Sequence, residues 1–247
     1  MRPLARVVIT CVYCLLSLEQ SPAQHSVHTG SVLGVDDDRP VAAARCVDVP
    51  VDVTASSADE RRLVCFAAGR ALQMLGDCEI HLHRRLHVEV TNDVVHPVSG
   101  VVLGLFDSRL EKVLVTREEY IPNLIGGTPF GILGRRDLYK SLIVHEVVHA
   151  VMHQNFAQIP TGRAVDEYPA YALQLASLPA GKLKRYLNTV DKSGDGEFLF
   201  NDLVLSLDSF FFAARAYRHF ASSSDGCSHL RSILAGSATF IATSLPL

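Results

Sequence analysis

One stretch decides most of what this chain of 247 residues can become. From Leu142 to Met152 it reads LIVHEVVHAVM, and apart from His145, Glu146 and His149 every residue is Leu, Ile, Val, Ala or Met. An apolar run of this length belongs in a core. The segment around it, roughly 136 to 156, reads as one long helix that the turn signal QIPTG (158–162) breaks. A His-Glu-His group inside such a helix is costly to bury unless something binds it.

The spacing says what that something is. Residues four apart share a helix face, with Cβ atoms about 5–6 Å from each other. His145 and His149 can therefore direct two imidazoles at one metal ion, and Glu146 sits beside the first of them, placed to take a proton from water. His153 continues the same side of the helix. It stands eight residues from His145, about 12 Å along the axis, which is too far for donors that share one tetrahedral ion. No glycine follows in the HExxHxxGxxH manner to bring a third histidine back.

A third ligand must then come from beyond the break. AVDEYPAYALQ (164–174) starts a second helix, expected over about 166 to 177. Asp166 is a natural N-cap there, Pro169 falls in its first turn, and Ala170 and Ala172 permit close helix approach. Glu167 is the preferred third ligand, with Asp166 as its rival. With Zn²⁺ as the cofactor, a fourth position is left for water.

Upstream, CVDVPVDVT (46–54) alternates like a strand, and Ser57 followed by Glu60 forms a capping-box start to a helix that Gly76 and Asp77 end. LHVEVTN, VVLGLFD and KVLVTR are short β-branched segments, and SRLE joins the last two into an antiparallel hairpin. The final third is mostly helical, centred on FNDLVLSLDSFFFAARAYRHF. Helix, small sheet, then helices is an α+β order and not an alternating βαβ. Asp191–Asp202 matches part of a calcium loop but carries Asp202 where a bidentate Glu is usual, so it reads as a solvated turn. The histidines of HLHRRLH (81–87) read as a surface face.

The N-terminus has the layout of a secretory signal peptide: a basic start, an uncharged run from Val7 to Leu18, and small residues at Ser21–Ala23. That run is shorter than the ~20 residues of a membrane span, so no stable membrane insertion is expected after cleavage. The expected organisation is a signal peptide at 1–23, a loose leader at 24–44 and a single domain at 45–247, its sheet and long helix at 45–156 and a helical lobe at 157–247. Export, periplasmic or secreted, makes two disulfides plausible among Cys46, Cys65, Cys78 and Cys227. Cys65 and Cys78 flank one helix and lie roughly 16–20 Å apart if it forms, so each should pair with Cys46 or Cys227. The net charge of −3 gives no basic footprint for nucleic acid. Oligomeric state is left open.

HExxH followed after 17 residues by the Glu of DEYPAY resembles the gluzincin branch of zinc metallopeptidases, small exported bacterial members among them. The order of elements over about 57 to 178 is also similar to the zincin-like fold: a backing helix, a small mixed or antiparallel sheet, an active-site helix and a glutamate helix. The resemblance implies a zinc-dependent hydrolase acting on a peptide or protein substrate, with Glu146 as general base. It implies an edge strand beside the site, for which VVLGLFDS (101–108) is the candidate. It further implies a later Tyr or His bonding the developing oxyanion. Tyr217 and His219 are the candidates, and at about 200° apart on a helix they do not both face the ion. The alternative is a non-catalytic zinc module that binds a peptide or partner.

Overall fold

The computed structural model describes residues 43–96, 100–121, 125, 127–190, 200–222 and 226–238. The signal peptide and nearly all of the leader lie outside these residues, as does most of the calcium-loop candidate. The architecture is α+β. A five-stranded mixed sheet has the order β1-β2-β3-β7-β6, formed by β1 Ala44–Arg45, β2 Val51–Thr54, β3 Leu86–Thr91, β6 Gly104–Asp107 and β7 Lys112–Thr116. A separate ribbon pairs β4 Val94–His96 with β5 Gly100–Val102.

Three local expectations are met, and two are corrected. Ser57 caps α1 (Ala58–Gly76) by accepting from the Glu60 amide, while the Glu60 carboxylate reaches back to Ser56. The hairpin of β6 and β7 forms, its turn held by Asp107 Oδ1, which accepts from the amides of Arg109 and Leu110. The long helix runs over Arg135–Asn155 (α2), starting from Gly134 at φ 78°, a conformation that favours glycine. CVDVPVDVT, however, is not one strand. Pro50 has no amide to donate, the chain bends before it, and β1 doubles back antiparallel onto β2. VVLGLFD is likewise two strands. It bends at Leu103, so that Val101 and Val102 pair with β4 and Gly104–Asp107 with β7.

The topology also contains one βαβ unit that the element order did not suggest. β2 and β3 are parallel, with α1 crossing between them, and β3 is parallel to β7. One face of the sheet is apolar in registered rows: Val53, Val88, Val113 and Phe106 lie side by side across four strands. The other face carries the Lys112–Glu89 ion pair and the Thr54–His87 contact. α1 and α2 pack on each other, α1 against β2 and α2 against β6 and β7. Beyond α2 come α3 (Arg163–Ala176) and then, packed on α3, α6 (Ser209–Ser222). α4 (Ala180–Val190), α5 (Asp202–Leu207) and α7 (Gly226–Leu234) complete the helical lobe.

Disulfides Cys46–Cys65 and Cys78–Cys227, with Cα atoms 5.6 and 4.8 Å apart, resolve the open pairing. The first ties the β1 edge to α1, and the second ties the end of α1 to α7. Two disulfides fit an oxidising compartment outside the cytoplasm. Among the described residues no helix is long and apolar enough to cross a membrane.

Candidate metal centre

α2 is buried without a break from Ser141 to Met152, polar residues included. α3 starts at Arg163, three residues before the expected cap, because Asp202 Oδ1 of α5 accepts the Ala164 amide at 2.6 Å. Asp166 is therefore not the N-cap, and Pro169 lies well inside the helix. This earlier start leaves the amphipathic face of α3 directed at α2: Glu167, Tyr171 and Gln174 recur at i, i+4 and i+7, all buried.

That face meets the histidines of α2. His145 Nε2 and His149 Nε2 stand 3.1 Å apart, and Glu167 Oε2 lies 3.4 Å from the first and 3.8 Å from the second. Around an ion with bonds of ~2.0–2.1 Å, tetrahedral donors are roughly 3.3 Å from each other. The three separations bracket that value. His145, His149 and Glu167 form a buried group that can hold a metal ion. Glu167 Oε2 is enclosed and takes part in no hydrogen bond among the described residues, as expected of a donor atom kept for a cation.

Both imidazoles are oriented from behind. His145 Nδ1–H donates to Gln174 Oε1 at 3.0 Å, and Gln174 in turn reaches Ser141, whose hydroxyl donates to the Leu138 carbonyl. His149 Nδ1 stands 3.3 Å from Asp166 Oδ2. With Nδ1 facing these partners, each ring turns its Nε2 into the group, the arrangement of a histidine ligand backed by a carboxylate or amide. Two imidazole nitrogens 3.1 Å apart need a proton or a metal cation between them. The electrostatics agree. Burial by itself lowers the His149 pKa, but the carboxylates of Asp166, Glu167 and Glu146 outweigh it and push it up to about 10. The pocket favours positive charge.

A family model matches residues 51–243, and its description is a family of unknown function, DUF6639. The chain belongs to DUF6639. No curated protein and no solved structure matches it. The DUF6639 region begins at β2 and includes α2, α3, α6 and α7, so every candidate site residue lies within it.

Within this DUF6639 domain the candidates fall in different places. His145, His149 and Glu167 converge, and Glu146 is buried beside them on α2. Asp166, the rival ligand, stands behind His149. His153 is not part of the group and packs edge-on against Phe106 of β6. His219 Nδ1 and the Tyr168 hydroxyl share a hydrogen bond of 2.6 Å, in a cluster with Phe200 and His229. Tyr217 is half-buried against the core. Sequence reasoning missed three residues. Gln174 was discoverable as an amide in an apolar helix, two turns beyond Glu167. Tyr171, whose ring meets that of His145 at 4.7 Å, lies on the same face. Gly104 carries no side-chain signal at all.

Proposed function

We propose that this chain is a zinc-dependent hydrolase of zincin-like fold, a metallopeptidase acting on peptide bonds after export. The observation that carries the reading is the buried His145–His149–Glu167 group with a fourth buried side chain, Glu146, one residue from the first histidine. The nitrogen and carboxylate donors suit zinc, and His145, His149 and Glu167 would hold it. When bound, the zinc supplies a Lewis acid that brings the pKa of water towards about 7 and polarises a carbonyl. Glu146 then takes the proton from the attacking water as its oxygen adds to the scissile carbon, and delivers it to the amine as the C–N bond breaks. Asp166 and Gln174 hold the two imidazoles in register. β6 is the last strand of its sheet among the described residues and offers an edge on which an extended peptide can add as a strand.

The competing reading is a zinc module that binds peptides without cleaving them. It is favoured by one observation: His219, a candidate oxyanion donor, spends Nδ1 on Tyr168. Glu146→Gln separates the two. For a hydrolase, wild type and variant both carry stoichiometric zinc by elemental analysis, and only wild type cleaves a broad peptide library. Wild type that holds zinc and cleaves nothing supports the binding module; wild type without zinc sinks both.

A further inference from the structure

The buried face of the sheet breaks its own pattern at one position. Its rows are filled by Val, Leu and Phe, but the row of Val90 and Val115 ends on β6 at Gly104. Glycine inside a strand costs roughly 0.5–1 kcal/mol relative to alanine, so an extended glycine there calls for a reason other than conformation. Its φ lies outside the left-handed range. The reason is spatial. A Cβ built on Gly104 would stand 2.7 Å from Glu146 Cγ, 2.8 Å from Oε1 and 3.0 Å from Cδ. The volume that a valine would take in this row is occupied by the carboxylate arm of Glu146.

We infer that Gly104 is a positioning residue for the Glu146 carboxylate: the missing side chain on the edge strand forms the slot that holds the general base between β6 and the two histidines. The inference rests on the hydrolase reading for its catalytic consequence, but not for the packing itself. Phe106, two residues along the same strand face, packs on His153 of α2. Glu146 cannot retreat easily, because its own helix is buried and packed on α1 and α3. A methyl group at 104 must displace the carboxylate.

A double-mutant cycle with Gly104→Ala and Glu146→Ala tests this by unfolding equilibria. Alanine at 104 should be neutral or destabilising when Glu146 is present and stabilising when it is absent, a coupling of tenfold or more in the unfolding constant. If Gly104→Ala alone fails to fold, recovery in the double variant is the same result. Equal effects in both backgrounds overturn the inference, as does failure of both to fold. In the zinc-loaded enzyme, Gly104→Ala should lower kcat at least tenfold with KM and zinc content retained, and unchanged kcat overturns the positioning role. If wild type cleaves no peptide, the hydrolase reading falls and the coupling alone decides whether Glu146 occupies the slot.

Discussion

Two pairs of histidines in this molecule meet in nearly the same way. The rings of His145 and His149 are 4.7 Å apart at 75°, and those of His219 and His229 are 4.8 Å apart at 74°. Their surroundings differ. The first pair is enclosed with Glu146, Glu167 and Asp166, and the positive form of His149 is favoured strongly. The second pair lies among Tyr168 and Phe200, and burial lowers the pKa of both rings, with His219 lowering that of His229 further. Ring geometry therefore does not make a metal centre. What makes the first pair a candidate is the carboxylates around the rings, together with the contacts that turn Nε2 inward. The two pairs are also linked, because Tyr168, which is hydrogen-bonded to His219, follows Glu167 directly on α3.

The largest effect should come from removing a donor. Glu167→Ala or His149→Ala should lose stoichiometric zinc, whereas His219→Ala should keep it. Zinc at a thousandfold over its Kd stabilises a folded chain by about 4 kcal/mol. Calorimetric melting with and without zinc should show that gain in wild type and in His219→Ala, and none in Glu167→Ala. Equal zinc stabilisation of Glu167→Ala and wild type would break the distinction between the two pairs.

What could be read in the sequence divides along the same line between local and distant causes. The Ser57 cap, the hairpin joined by SRLE and the two-histidine spacing on α2 are settled within a few residues, and each forms as expected. Glu167 was accessible because a helix after a short break has few ways to return. The role of Asp166 was not. Its place behind His149 depends on where α3 begins, and that is decided by Asp202, 38 residues beyond the Ala164 amide it accepts from. The parallel pairing of β2 with β3 depends on how α1 crosses the sheet, which the alternation of either strand does not encode. Gly104 was invisible for a related reason: its meaning lies in a side chain on another element.

An intermediate effect should come from what stands behind the ligands. Asp166→Asn keeps the size of the side chain and removes its charge. Loss of such a partner typically weakens metal affinity by about 10–100-fold. Competition titration against a chromogenic chelator should place Asp166→Asn in that range, between wild type and the ligand variants. Wild-type affinity in the variant would show that His149 is oriented by packing on α3 alone, and the carboxylate would lose its part in the contrast between the pairs.

The smallest effect should belong to the second pair and appear only in acid. His229 has a pKa lowered by burial first and by His219 second. The unfolded chain, with histidine near 6.5, then takes up protons before the folded one does. Stability from this residue is complete above about pH 6.5 and is lost as pH falls through the lowered folded value. His229→Gln should flatten the decline of melting temperature between pH 7 and 5 by a few degrees, read against wild type so that proton competition at the metal centre cancels. If the two chains decline in parallel, the second pair is as indifferent to protons as an exposed histidine, and its contrast with the first reduces to the presence of carboxylates alone.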